Sequence, residues 1–274
     1  MDKTKEKRPL FPAAVLIIIL AGCMFCDVFV TSDPAYMDLY NVSSPPGREN
    51  FFGTDTMGRD IFSMIWYGGR VSLIIGFLSA AISAVIAVIA GSVSGLCPQW
   101  LDNAIMRFTD IFLSVPSLLL IIFIQAALGP AGVISISFVT GITSWPAMAK
   151  VVRTEVKQLN RSEFVIASRC MGGSFFHILT VHMIPNLLPS IMFMIVMNIR
   201  NAIVAESTLS FMGTGLPLDI ISWGSMLSLA GNSLFSGCWW IVLIPGAFLT
   251  ITLMCVTSIA GYMKDSLSHR HSNI

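Results

Sequence analysis

Six runs of this sequence are too long and too apolar to face water: Leu10 to Val30, Val71 to Leu96, Leu101 to Leu128, Ala131 to Ala149, Leu187 to Met212 and Cys238 to Met263. A helix needs about 20 residues to cross the hydrocarbon of a bilayer, and each run reaches or approaches that length. None alternates with period two, and an open sheet edge would leave backbone groups unpaired in lipid, so strands are excluded. The expected fold is an all-α membrane protein with six transmembrane helices. Composition agrees, with 55% of residues hydrophobic and 11% charged, too little polar surface to coat a soluble domain. Gly129, Pro130 and Gly132 supply the turn between the third and fourth runs.

Lysine and arginine near the ends of the runs set the orientation. With the N-terminus inside, cytoplasmic segments hold Lys3, Lys5, Lys7, Arg8, Lys150, Arg153, Lys157, Arg161, Arg169, Lys264 and Arg270, against Arg48, Arg59 and Arg70 outside. This predicts a cytoplasmic N-terminus (1–9), a first transmembrane helix (10–30) and an extracytoplasmic segment (31–70). A five-helix core (71–263) with an inner loop at 150–186 and a cytoplasmic C-terminus (264–274) follow. Leu20-Ala21-Gly22-Cys23 imitates a lipoprotein signal, but the apolar run continues past the cysteine, so an uncleaved span is expected. The six cysteines have neither disulfide-framework nor zinc-site spacing and read as packing residues. A net charge of +1 gives no reason to expect nucleic acid.

Two polar segments interrupt the runs. In the outer one, Ile61, Phe62, Ile65 and Trp66 share a helical face, which predicts a short helix lying along the membrane surface. In the inner one, Phe164, Ala167, Ser168 and Met171 fall at i, i+3, i+4 and i+7, predicting an amphipathic helix broken by Gly172-Gly173. A second helix over Ser174 to Met183, with Phe175, Phe176, Ile178 and Leu179, is expected to end at Pro185. Such a pair is either a docking element or a surface-lying connector.

No lysine follows a glycine, so the chain has no phosphate-binding loop, and H-E-x-x-H and G-x-S-x-G are absent. No catalytic residue, metal site or cofactor is expected on this chain. Charges inside spans are costly unless paired or hydrated, which singles out Glu206, with Asn198 and Asn201 on a roughly common face, as a pathway or subunit-interface strip. Arg200 is expected on a different face, and Arg107 with Asp110 as an intrahelical ion pair. Pro116, Pro146, Pro245 and the 16 methionines read as structural.

The stretch Glu163-Phe-Val-Ile-Ala-Ser-Arg-Cys-Met-Gly172, followed by His182-Met-Ile-Pro185-Asn186, resembles the E-A-A-x-x-x-G loop of bacterial ABC import permeases. Ala167 and Gly172 match, while Ile166 stands in the place of the glutamate and Ser168 in that of the second alanine. Gly53, Thr54, Asp55, Gly58, Arg59 and Asp60 are similar to the G-T-D-x-x-G-R-D signature of dipeptide, oligopeptide and nickel permeases. Asp110 with Pro116, Trp145-Pro146, Glu206 to Gly213 and Ser222-Trp223-Gly224 extend the resemblance from about Phe51 to Lys264.

The resemblance implies a type I ABC importer permease in the bacterial inner membrane, multi-pass, with both termini cytoplasmic. Its partners would be a second homologous permease subunit, two ATPase subunits carrying ATP and Mg, an extracytoplasmic substrate-binding protein and the lipid bilayer. Glu163, Phe164, Ala167, Ser168, Arg169, Met171 and Gly172 would form the ATPase-coupling loop. The cargo would be short peptides, nickel or a metal-metallophore complex, with the short N-terminal region and the loop's wording leaning toward metal. The rival readings are a stand-alone secondary transporter or channel, for which the chain has one candidate carboxylate and no evident repeat, and a non-transporting scaffold.

Overall fold

The computed structural model describes residues 9–30, 33–174, 177–229, 233 and 237–271. The chain runs through α1 (Leu10–Met24), the single turn α2 (Cys26–Phe29), α3 (Ile61–Leu96), α4 (Gln99–Ser114), α5 (Ser117–Leu128) and α6 (Val133–Leu159). Then come α7 (Glu163–Cys170), a π-helical turn (Ile178–Met183), α8 (Ile184–Phe211), α9 (Trp223–Ser228) and α10 (Trp240–His271). Among the described residues the one strand-like pairing is an isolated bridge between Thr54 and Asp60.

α3 is the axis of the bundle because its sequence leaves small residues on the faces it buries. Ser79, Ser83, Ala87, Gly91 and Gly95 recur every fourth residue and are all buried. Gly91 and Gly95 pack on Ala149, Val152 and Val156 of α6, and a Cβ at Gly91 would lie 2.7 Å from the Ala149 carbonyl oxygen. Two helices approach this closely only where side chains are missing, the usual basis of helix pairing in lipid. Ser72 and Gly76 turn the other way and receive α8; a Cβ at Gly76 would lie 2.9 Å from Ile203.

Three described helices are long and apolar enough to cross a membrane, namely α3, α8 and α10 over Trp240–Lys264. A fourth crossing exists if α4 and α5 count as one broken span, and α1 is a shorter apolar helix. The expected run Leu101 to Leu128 is therefore not one straight helix: α4 and α5 meet at 93°. The cause is Pro116, which drives Val115 into extended backbone (ψ 133°) because the α region is crowded before a proline.

The expected surface helix around Ile61 to Trp66 is instead the start of α3. Asp60 caps it, its carboxylate accepting from the Ser63 backbone N–H (2.9 Å), and no break intervenes before Leu96. Lys150 to Leu159, assigned to the inner loop from the sequence, continue α6 as a charged extension. Pro185 does not end a helix; it sits in the first turn of α8, where its missing N–H costs nothing. Phe175 and Phe176 lie outside the described residues, as do 1–8 and 272–274. Nor is 264–271 a separate tail, since α10 runs through it.

Two apolar clusters hold the ends. Ile19, Cys23, Ile61, Ile65, Ile203, Trp223 and Trp240 join α1, α3, α8, α9 and α10. Val152, Val156, Val165, Ile178, Met183 and Leu187 join α6, α7, the π turn and α8 at the other end.

Candidate functional site: a polar cleft, an anchored surface helix and a caged carboxylate

A polar cluster follows from α6's extension past the apolar run. Lys150, Arg153 and Lys157 are spaced three and four apart, hence on one helical face, and that face meets α4. Asp102 is buried and accepts from Arg153 Nε (2.5 Å) and Nη2 (2.6 Å), from Lys157, and from Ser94 of α3 (2.5 Å). Bonding to this carboxylate raises the Arg153 guanidinium above its ordinary value. Asp110 pairs with Lys150 across the same interface at 2.6 Å, rather than with Arg107 as expected from spacing, because the α6 ammonium reaches it directly. Phe108, Phe112 and Trp145 add ring contacts with centroids 5.1–6.3 Å apart.

The sequence places an apolar face on α7, and the structure divides it. Val165 and Ser168 are buried, the valine within the inner cluster. Phe164 (43% exposed), Ala167 and Met171 (82% exposed) point outward together, and Glu163 and Arg169 are also exposed. Ser168 thus leaves the expected outward face, because one side of so short a helix must anchor it. The helix ends in a Schellman arrangement: the Gly172 N–H donates to the Arg169 carbonyl and the Gly173 N–H to the Ser168 carbonyl, both at 2.9 Å. Gly172 has φ +83°, a conformation costly for residues with a Cβ. Arg169 donates to Asn160, tying α7 back to the end of α6.

A cleft of about 410 Å³ opens between α5, α6 and α8. Leu113, Ser117, Leu118 and Ile121 form one wall, Thr140, Thr143, Ser144, Pro146 and Ala147 the second, and Asn198, Arg200, Asn201, Val204, Ala205 and Thr208 the third. Asn198 is fixed by donating to Ser83 Oγ of α3 (2.9 Å), while Asn201 is exposed. Arg200 shares this wall with both asparagines, contrary to the expected separation. Thr140, Thr143 and Thr208 satisfy their hydroxyls on their own helices, whereas a guanidinium at membrane depth needs water or a counter-charge, so Arg200 is the group that argues against lipid on this face.

Glu206, expected in the same strip, is elsewhere. It is fully buried and absent from the cleft lining. Its Oε1 accepts from Ser210 (3.0 Å) and Ser222 (2.7 Å), and its Oε2 from Ser72 (3.2 Å) and Ser207 (3.4 Å). Three of these hydroxyls each accept a backbone N–H as well: Trp223 onto Ser72, Leu216 onto Ser210 and Ser225 onto Ser222. The cage joins α3, α8 and α9, and among the described residues no basic side chain pairs with the carboxylate.

The outer signature folds into a knot rather than a surface. Asp55 Oδ1 accepts from the backbone N–H groups of Met57 and Arg59, and its Oδ2 from Arg59 Nε (each 2.8 Å). Thr54 donates to the Asn41 carbonyl (2.5 Å) and its own carbonyl accepts from Trp240 Nε1 (3.2 Å). Gly53 and Gly58 have φ of +76° and +75°; a Cβ at Gly58 would lie 1.9 Å from the Asp38 carbonyl oxygen. With Asp60 capping α3, these six residues pin the outer segment to α3 and α10. Beside them Tyr36, Leu39 and Tyr40 are exposed, together with the polar Arg48, Glu49 and Thr56.

Sequence reasoning missed Asp102, Arg153 and Lys157 as a cluster, the serines around Glu206, and Arg200 in the cleft. The 150/153/157 spacing was a legible signal for the first, while the others depend on which distant segments meet.

Comparison with known proteins bears on these features. A family profile described as the binding-protein-dependent transport system inner membrane component matches residues 87–270. The chain is 35% identical over 262 residues to the oligopeptide transport system permease protein OppC of Bacillus subtilis (strain 168), covering 96% of this chain and 85% of that protein. It is 34% identical over 223 residues to the dipeptide transport system permease protein DppC of the same organism, covering 81% and 69%. It is 30% identical over 267 residues to a putative peptide permease protein of Brucella suis biovar 1, covering 97% and 88%.

Proposed function

Since the chain belongs to the family of binding-protein-dependent transport system inner membrane components, we propose that it is one permease subunit of an ATP-driven importer of short peptides. The observation that carries this reading is the joining of α7 to the cleft. α7 presents Phe164, Ala167 and Met171 outward while Val165 locks it to α6 and α8, two of the helices that wall the cleft. An apolar face on an inner surface helix requires a cover, and a groove on an ATPase subunit fits it, in the manner of a helix laid in a groove. ATP and Mg belong to those ATPase subunits, of which two are proposed. A second permease subunit completes the pathway, and an extracytoplasmic binding protein meets the exposed Tyr36, Leu39 and Tyr40. The names of the relatives favour peptides over nickel or a metal-metallophore complex as cargo.

Displacement of α7 by its ATPase would move α6 and, through Asp102 and Asp110, α4 with it, a rigid-body switch between outward-open and inward-open forms. The test is Gly172→Val and Ala167→Asp in a reconstituted complex. Both variants are expected to insert normally yet lose ATPase in pull-down or hydrolyse ATP without transport. Wild-type coupling in both would reduce α7 to a connector.

A further inference from the structure

Arg200 is the guanidinium on the cleft wall, carried in the seventeenth position of a helix long enough to cross the membrane. Arginine at such depth requires a counter-charge or water, and among the described residues no acid lies in salt-bridge range of it. The acids of α4, α6 and α8 have other partners: Glu206 has four hydroxyls, Asp102 has Arg153 and Lys157, Asp110 has Lys150, and Glu155 accepts from Ser190. The residues around Arg200 are neutral. Thr140 and Thr143 each donate to a carbonyl of their own helix, at 2.7 and 2.9 Å, so towards the cleft their oxygens act as acceptors. The cleft thus offers one cation, the amide of Asn198 held on Ser83, the exposed amide of Asn201, and acceptor oxygens opposite, around a volume within the usual small-ligand range of roughly 300–1,000 Å³.

We propose that Arg200 recognises cargo: its guanidinium pairs with the C-terminal carboxylate of the peptide passing through the cleft. This rests on the peptide-importer reading and gives the pathway a preference of its own, separate from that of the binding protein. The planar fork of arginine matches a carboxylate in two parallel hydrogen bonds, and the acceptor oxygens of α6 suit the amide N–H groups that follow. An acid of the second permease subunit is the competing counter-charge. Against it, the cores of subunit seams are depleted in charge, whereas here the charge borders an open concave space lined by polar groups on two helices.

The experiment uses the reconstituted complex with its binding protein and compares uptake of trialanine with that of its C-terminal amide, in wild type, R200Q and R200K. The ratio of the two rates is the readout, because the binding protein's own preference is common to all three and cancels between variants. Loss of a charge-assisted pair is expected to lower the acid-to-amide ratio about tenfold in R200Q, with the amide still transported and R200K retaining most of the preference. An unchanged ratio in R200Q overturns the proposal. Failure of R200Q to assemble, with R200K assembling, also overturns it and assigns Arg200 to an acid of the other subunit. A wild-type complex that holds its ATPase yet takes up neither peptide overturns the peptide reading itself.

Discussion

Replacing Glu206 with glutamine tests the protonation logic of its cage. Ser72, Ser210 and Ser222 each receive a backbone N–H and each lie within reach of the carboxyl group, so each has its single proton left to give to it. Ser207 adds a fourth donor. Four hydroxyls can all donate only to an unprotonated carboxylate, and that is the premise the substitution tests. Glutamine is nearly the same size but carries an NH2 on one side, so two of the four hydroxyls face a donor and lose their acceptor. Each buried group left unsatisfied costs about 1–3 kcal/mol, so the low end for two is about 2 kcal/mol. For a chain of this length that corresponds to about 4–8 °C in thermal midpoint. Glu206→Leu strands all four and is expected to fall further. The assay is thermal unfolding of the detergent-purified complex, with native chromatography to confirm assembly. Were the carboxyl protonated in the native protein, glutamine would reproduce its pattern of one donor and one acceptor. A Glu206→Gln midpoint equal to wild type, with Glu206→Leu lowered, refutes the acceptor-only cage.

Two further substitutions probe the frame. Asp102→Asn leaves Arg153 and Lys157 without their shared carboxylate; both are partly exposed, so the expected loss is modest, about 1 kcal/mol. Its larger effect is expected on coupling, read as the ratio of ATP hydrolysed to peptide transported, and an unchanged ratio would remove α4 from the linkage. Gly91→Val places a Cβ 2.7 Å from the Ala149 carbonyl oxygen, where backbone cannot yield, and is expected to prevent tight α3–α6 packing. Wild-type yield of monodisperse protein would show that the two helices can separate freely.

The helices were legible because their signal is local: a long apolar run needs no knowledge of its neighbours. α3, α8 and α10 follow from length and composition alone. Their ends were less legible. Lys150 to Leu159 look like a loop by charge, yet a helix that leaves the membrane keeps its hydrogen bonds and simply changes solvent. Leu101 to Leu128 looks like one span by hydropathy. However, Asp102, Asn103, Arg107 and Asp110 recur with helical period in its first half only, and the apolar half begins just after Pro116. Read together, those residues announce the bend. The sites were hardest, since they are made by distant pairs. Ser72 meets Glu206 across 134 residues and Asn198 meets Ser83 across 115, so helical-wheel reasoning grouped Glu206 with Asn201 when only α3 and α9 could show that it faces away.

How each wall of the cleft is held decides which of them is adjustable. α6 is locked to α3 by the Ser79 to Gly95 stripe, where any sliding would drive side chains into backbone. α8 is locked to the same helix by directed bonds, Ser72 to Glu206 and Ser83 to Asn198. α4 is held on α6 by three ion pairs and three aromatic rings. α5 meets the other walls through an apolar patch of Ile121, Val139 and Leu209, which has no preferred direction, and through one long hydrogen bond from Gln125 Nε2 to Ser135 Oγ of α6, at 3.4 Å. It follows α4 across Val115 and Pro116, where the helical hydrogen-bond ladder is interrupted, the point in this wall where an angle change would be absorbed. In the proposed mechanism two walls packed on α3 face a third that begins at the break before Pro116, so a push at α7 would reach the cleft through α6 and α4 while the packing of α3 is kept.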